Sequence, residues 1–283
     1  MDSATIERDE IEAVLAIARE ASALVMEVYA TPFTVDLKGP NDPVTAADRR
    51  ANTLICDALA RRFPGDAIVA EESAPQDREE LAALVRSRRV WFVDPLDGTR
   101  EFADRNGEFS VMIGLAVEGR AALGVVVMPV TGEAFAGALG HAAFVEAEDG
   151  IRRALATSQV RDPKEAAMVV SRAHRAPRFL ETMQDALGIR RVVPCGSVGV
   201  KVAKVARGEA DLYVHAGLGA KLWDTCAPEA ILAAARGRFT DLDGAAIDYA
   251  RPDLMLRDGI LASNGALHEQ VRAALAERRS ALG

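Results

Sequence analysis

The 283-residue sequence predicts a layered α/β fold in two lobes. Three observations carry that expectation. An apolar stripe of helical period opens the chain, turn-separated β-type runs fill its middle, and strands alternate with helices through its second half.

From Thr5 to Tyr29, Ile6, Ile11, Val14, Leu15, Ala18, Ala21, Leu24, Val25 and Val28 recur on a 3.6-residue period with acids early, which predicts an amphipathic helix. Phe33 to Lys38 reads as a strand. The cluster Gly39-Pro40-Asn41-Asp42-Pro43 is a turn, and Thr45 is the N-cap of a second helix that runs to about Phe63, where Pro64-Gly65 stops it. Two short apolar strands follow, Ala67 to Ala70 and Val90 to Val93, and they deliver Glu71-Glu72 and Asp94 at their ends. Val111 to Val117, Ala121 to Met128 and Glu133 to Ala138 form an antiparallel meander. The remainder alternates: strand Met168 to Ser171, helix Pro177 to Leu187, strand Arg191 to Val193, helix Val198 to Arg207, strand Asp211 to Val214, and a helix from about Thr225 to Ala235. Gly150, Asp162 and Pro163 interrupt the pattern, which sets the lobes at residues 1–155 (α+β) and 156–283 (α/β).

Composition narrows the function. With 49% hydrophobic and 27% charged residues, the chain is neither disordered nor fibrous. Its net charge of −8 repels polyanions, which argues against a nucleic-acid polymer or an anionic membrane as partner. No apolar run approaches the roughly 20 residues of a membrane span. The acidic start, Asp2, Glu7, Asp9 and Glu10, is unlike a secretory signal, so the expected location is cytoplasmic. Cys56, Cys195 and Cys226 are scattered without a C-x-x-C pair and fit packed, reduced thiols.

Four acidic places attract a chemical reading: Asp48, the pair Glu71-Glu72, the segment Asp94-Pro95-Leu96-Asp97-Gly98-Thr99, and Asp224 after Trp223. Taken singly, the segment is a surface turn, the Glu pair is solvated and Asp224 is a helix N-cap. Taken together, their carboxylates would repel one another by roughly 4 kcal/mol per pair at 4 Å and an effective dielectric near 20, so a convergent cluster requires cations. An oxygen-only donor set selects hard metals, Mg²⁺ first and Mn²⁺ second. Two such ions suit attack of water on a phosphoryl group. Spacing alone does not establish convergence.

Asp94-Pro95-Leu96-Asp97-Gly98-Thr99 and Trp223-Asp224-Thr225-Cys226-Ala227-Pro228 resemble the two signatures of the inositol monophosphatase superfamily of Mg²⁺-dependent, lithium-sensitive phosphatases. Pro43-Val44-Thr45-Ala46-Ala47-Asp48 and Glu71-Glu72-Ser73 fall in the expected order. The resemblance implies an αβαβα sandwich of the sugar-phosphatase type. It implies that Glu71, Asp94 and the Leu96 carbonyl hold one metal, that Asp94, Asp97 and Asp224 hold a second, and that Glu71 assists a weaker third. It further implies that Asp48 and Thr99 orient and deprotonate the nucleophilic water. Homodimers are usual in much of that superfamily. The lobe split then assigns most metal ligands to the first lobe, and Asp224 with the specificity elements to the second. Gly98 and Thr99 stand where a following helix N-terminus can meet phosphate.

Gly98-Thr99-Arg100-Glu101-Phe102, Ser171-Arg172-Ala173-His174 and Lys221-Leu222-Trp223-Asp224-Thr225-Cys226-Ala227-Pro228-Glu229 are similar to the CysQ branch, the 3'(2'),5'-bisphosphate nucleotidases. That similarity implies hydrolysis of adenosine 3',5'-bisphosphate to AMP, a step attached to sulfate assimilation. A second phosphate needs N–H groups or cations opposite the metals. Gly196, Ser197, free N–H groups of the helix starting near Val198, and Lys201 are the expected source, with His174 and Arg172 as further candidates; a solvent-facing Lys201 is the plain alternative. His215 stands where many branch members carry Arg, which leaves inositol phosphates and fructose 1,6-bisphosphate as competing substrates. The alternative of a different class is a non-catalytic, metal-dependent nucleotide-binding regulator, against which Asp48, Glu71 and Thr99 argue.

Overall fold

A computed structural model describes residues 5–39, 42–172, 177–216 and 219–277. In chain order the elements are α1 (Arg8–Tyr29), β1 (Val35–Gly39), β2 (Asp42–Thr45), α2 (Ala46–Arg62), β3 (Ala67–Ala70), α3 (Arg78–Val85), β4 (Arg89–Asp97), α4 (Thr99–Ala103), β5 (Ser110–Val117), β6 (Arg120–Met128), β7 (Glu133–Ala138), β8 (Phe144–Glu146), β9 (Arg152–Ala154), β10 (Ala167–Ser171), α5 (Pro177–Leu187), β11 (Arg191–Cys195), α6 (Val198–Ala206), β12 (Leu212–His215), α7 (Leu222–Ala234), β13 (Arg238–Thr240), β14 (Ile260–Ser263) and α8 (His268–Glu277).

Two large sheets organise these elements, and β1 and β2 pair antiparallel in a separate two-stranded sheet. Seven strands lie in the order β3-β4-β5-β6-β7-β8-β9, antiparallel except for β3 beside β4. Five lie in the order β11-β10-β12-β14-β13, the first three parallel and β14 antiparallel to both neighbours. Helices α1 and α2 cover one face of the larger sheet. Helices α6 and α7 fill the space between the sheets, and α8 packs with α5 beyond the smaller one. The layers therefore run αβαβα, and no helix among the described residues is long and apolar enough to cross a membrane.

The strand β5 shows why an uninterrupted apolar run belongs here. Val111, Ile113, Leu115 and Val117 join the core under α1 and α2, while Met112 and Ala116 join the core on the opposite face. A strand buried on both faces has no polar alternation to display, and each such side chain contributes about 1.5–3 kcal/mol by leaving water. In β4 the same alternation puts Trp91 and Val93 under α1 and α2, and Val90 and Phe92 toward α7. Asp94 continues the α7 side.

Helix α7 sits on a column of glycines. Gly114, Gly124 and Gly137 are cross-strand neighbours on β5, β6 and β7. A Cβ on Gly124 would lie 2.1 Å from the Ala227 carbonyl oxygen, one on Gly114 2.5 Å from Ala227 N, and one on Gly137 2.7 Å from Ile231 Cα. The missing side chains let the helix backbone rest on the sheet backbone.

The structure differs from expectation at several elements. Helix α7 begins at Leu222, not Thr225, so Pro228 lies well inside it and deprives the Asp224 carbonyl of its N–H partner. The strand β4 continues past Val93 to Asp97 through an irregularity between Asp94 and Asp97. The segments α3, β8, β9, β13, β14 and α8 had no sequence counterpart, being short or weakly periodic.

Candidate active site

The local sequence fixes each acid before the fold joins them. Thr45 caps α2 and accepts from Ala47 N. Asp48, at the third helical position, accepts on Oδ2 from both Thr45 N and Thr45 Oγ1 at 2.7 Å. This is a reciprocal capping box with Asp in the place usual for Glu. The other carboxylate oxygen, Oδ1, accepts from Thr99 Oγ1 at 3.1 Å, and that hydroxyl is also 3.2 Å from the Leu96 carbonyl. Gly98, at φ 94°, caps the five-residue α4 and turns the chain so that Thr99 meets Asp48. Burial pushes the Asp48 carboxyl up to about 6, against the Thr45 donors and with help from the charges of Glu72 and Glu71.

Asp94 is 2% exposed and accepts from Leu96 N at 3.0 Å. Its carboxyl is held well above the usual range by burial, then by the negative charges of Glu71, Asp97 and Asp224. Asp224 stands at the third position of α7 and accepts from Lys221 N at 2.6 Å, so Lys221 rather than Asp224 is the N-cap. It too is raised, by burial and then by Asp97 and Glu71. Glu71 leaves the end of β3, where its N–H binds the Val93 carbonyl. The ends of β3 and β4 and the first turn of α7 thus place four carboxylates in one another's field.

Among the described residues, no three His, Cys, Asp or Glu side chains close into a ready-made ion cage. Carboxylates that repel one another instead lean on local donors: Asp94 on Leu96 N, Asp97 on Ser197 and Gly199, and Asp224 on Lys221 N. The donor set, all carboxylate and carbonyl oxygen with raised carboxyls, fits a hard divalent cation.

Asp97 joins the two sheets' contributions. Its Oδ2 accepts from Ser197 Oγ at 2.5 Å and from Gly199 N at 2.9 Å, and Val198 N adds a further backbone bond. Ser197 also accepts from Val200 N and pairs with Ser110 Oγ at 2.9 Å. The expectation that the α6 N-terminus offers free N–H groups to phosphate is therefore corrected: Asp97 and Ser197 occupy them. Gly196 is corrected likewise. A Cβ there would lie 2.3 Å from Glu101 Cγ, and its N–H donates to Glu108 Oε2, so its smallness admits protein rather than ligand. Arg172 is bound bidentately by Glu108, with contacts of 2.6 and 2.9 Å, and is not an open cation. His174 lies outside the described residues.

Beside the acids opens a cavity of about 210 Å³ whose wall includes Asp97, Gly98, Thr99, Ser197, Lys201, Tyr213, His215 and Asp224. Lys201 does not face solvent. It is 3% exposed, with Nζ over the Tyr213 ring at 5.2 Å from its centroid. Burial lowers its pKa while Asp97, Cys195, Glu101 and Glu108 raise it. Glu101, Ser110 and Tyr213 went unassigned in the sequence, Ser110 and Tyr213 because their relation to the site is purely tertiary. Only the nearness of Glu101 to Thr99 hinted at it.

Five alternating layers, with oxygen donors gathered at the ends of β3 and β4 and at the first turn of α7, define a layered α/β protein with an acidic site suited to a hard cation. The sequence profile of the inositol monophosphatase family matches residues 7–280, and the chain belongs to that family, whose members are metal-dependent phosphatases, typically using Mg²⁺. The chain is 38% identical over 257 residues to the 3'(2'),5'-bisphosphate nucleotidase CysQ of Escherichia coli O157:H7, covering 89% of this chain and 99% of that protein. Among solved structures it superposes on the Thermotoga maritima IMPase with a TM-score of 0.79 at 25% identity, covering 97% and 100% of the two chains. On CysQ from Bacteroides thetaiotaomicron the TM-score is 0.75 at 26% identity, with 91% and 98% covered.

Proposed function

We propose that the protein is a Mg²⁺-dependent 3'(2'),5'-bisphosphate nucleotidase that converts adenosine 3',5'-bisphosphate to AMP and phosphate. The observation that carries this reading is one cavity whose wall brings Asp97, Asp224, Thr99 and buried Lys201 together, with Thr99 hydrogen-bonded to Asp48. The likeness to CysQ supports the same substrate. Residues 1–155 supply Asp48, Glu71, Asp94, Asp97 and Thr99, and residues 156–283 supply Ser197, Lys201 and Asp224.

Glu71, Asp94 and the Leu96 carbonyl would hold one ion, and Asp94, Asp97 and Asp224 a second, with Glu71 turned toward a third; Mn²⁺ is the natural substitute. Bound there, the metal supplies positive charge that acidifies water and neutralises phosphate. The chain's own residues do the rest. A water on Thr99 Oγ1 passes its proton to that oxygen as the Thr99 hydroxyl proton moves to Asp48 Oδ1, so the threonine ends neutral and Asp48 ends as the acid. Thr45 keeps Asp48 aimed through the cycle. The attack is direct, without a covalent enzyme intermediate, and the same reading carries a homodimer in the cytoplasm.

A broader substrate range has one observation in its favour: Lys201 already shares its charge with Asp97 and Glu101. Comparison of kcat/KM for adenosine 3',5'-bisphosphate, inositol 1-phosphate and fructose 1,6-bisphosphate, with Mg²⁺ and with EDTA, decides. The nucleotide should lead by about tenfold or more, ~1.4 kcal/mol of discrimination. Equal values establish the broad phosphatase, and no Mg²⁺-dependent phosphate release leaves a binding protein.

A further inference from the structure

A polar chain, buried except for the partly buried Glu229 at its end, runs behind the first turn of α7, apart from the proposed chemistry. Tyr249 Oη lies 2.6 Å from Glu229 Oε2 and 3.2 Å from Thr225 Oγ1, and Thr225 Oγ1 lies 3.1 Å from the Leu222 carbonyl oxygen. Tyr249 and Thr225 are both fully buried, at 0% exposure, and Phe92 packs on the tyrosine ring. Leu222 and Thr225 bracket Asp224.

Three links need three protons, and the two hydroxyls own two. If Glu229 is ionised, Tyr249 must donate to it, and Thr225 can then satisfy either Tyr249 or the Leu222 carbonyl but not both. One pair of buried oxygens then faces lone pair to lone pair, at the cost of an unmade hydrogen bond. A proton on Glu229 fills every link in one direction. The helix has a reason to need this brace, because Pro228 supplies no N–H to the Asp224 carbonyl.

We propose that Glu229 is held as the neutral acid and acts as a positioning residue, its proton completing a chain through Tyr249 and Thr225 to Leu222 that fixes the turn carrying Asp224. The groups that bear on Glu229 are Arg120 on β6, Tyr249 after β13, and Cys226 on α7 itself. Arg120 donates to the Ile247 carbonyl. Burial pushes the Glu229 carboxyl up to about 7, against the Tyr249 hydrogen bond and Arg120, in keeping with the proton count. The catalytic arm of the test rests on the ligand role proposed for Asp224; the stability arm does not.

The test compares the metal-free wild type with Glu229→Gln, Glu229→Ala and Tyr249→Phe by thermal unfolding between about pH 5 and pH 8. A carboxyl raised in the folded state contributes stability at low pH that is lost as pH rises toward about 7. Glutamine keeps an N–H donor for Tyr249 and does not titrate. The Tm of Glu229→Gln should therefore gain several degrees on the wild type across that range, with Glu229→Ala and Tyr249→Phe low throughout. In Mg²⁺ below neutral pH, Glu229→Gln should keep wild-type kcat while Glu229→Ala loses roughly tenfold. A Tm gap that does not change with pH overturns the proposal, as does a Gln variant as damaged as the Ala variant. If the wild type turns over no substrate, the proposed function fails and the unfolding arm still decides. Should the variants not fold, the ¹³C shift of the Glu229 carboxyl in the wild type answers directly: a midpoint near 7 supports the chain, and one below about 6 overturns it.

Discussion

Replacing Gly124 with alanine tests whether the seat of α7 sets the active site. The new Cβ would stand 2.1 Å from the Ala227 carbonyl oxygen and 2.8 Å from its carbonyl carbon and Cα. Every one of these atoms is backbone, so no rotamer change can relieve the contact, and ordinary spacing requires α7 to lift by roughly 1 Å. Overpacking of this kind costs about 1–3 kcal/mol. At ~2–4 °C per kcal/mol for a chain of this class, Tm should fall by about 2–12 °C. Asp224 lies one turn before Ala227 and must move with the helix, and a misplacement near 1 Å can cost on the order of 10²-fold in rate. Differential scanning calorimetry and a Mg²⁺ titration of adenosine 3',5'-bisphosphate hydrolysis measure the two effects. Gly137→Ala, which crowds Ile231 further along the helix, should lower Tm with a smaller loss of rate. Wild-type Tm and turnover in Gly124→Ala would refute the close seat, and a lower Tm with unchanged turnover would refute its link to Asp224.

Asp94→Asn should abolish Mg²⁺-dependent turnover yet raise Tm in EDTA, because it removes a charge facing Glu71, Asp97 and Asp224 while its amide oxygen still accepts from Leu96 N; retained turnover in a phosphate-release assay would count against the metal assignment. Asp48, only 1% exposed, carries a carboxyl raised from 3.8 to about 6. The stability tied to its neutral form is present below about pH 4 and lost as pH rises through 6, an order of ~3 kcal/mol. Asp48→Asn should accordingly gain on the wild type across that window in metal-free urea unfolding, and lose activity at every pH. Ser197→Ala should weaken Mg²⁺ binding several-fold by freeing Asp97, and lose about 1 kcal/mol of helix capping; calorimetric Mg²⁺ titration with unchanged affinity would sink that role.

What the chain revealed before folding was whatever obeys local periodicity. The α1 stripe, the Thr45 cap and the β5 to β7 meander follow from residue spacing, and so did the delivery of Glu71 at the end of β3, whereas Asp94 lies within β4, which runs on to Asp97. Short strands such as Arg238–Thr240 carry too few residues for a period, and β14 is specified by pairing with β12 across a long separation. In the site, the acids were legible because their motifs are contiguous. The employment of the α6 N–H groups by Asp97, the capture of Arg172 by Glu108 and the closeness of Gly196 to Glu101 were not, since each joins segments far apart in sequence.

The spent N-terminus of α6 has a consequence for how this scaffold changes clientele. With its amides committed to Asp97 and Ser197, the backbone keeps nothing in reserve there for the distal end of a ligand, which is left to side chains such as Lys201, His215 and Arg100 along the cavity wall. Side chains mutate one at a time, whereas helix amides cannot. Preference among phosphate esters can then drift through single exchanges at that wall while the acids beneath go on with the same hydrolysis.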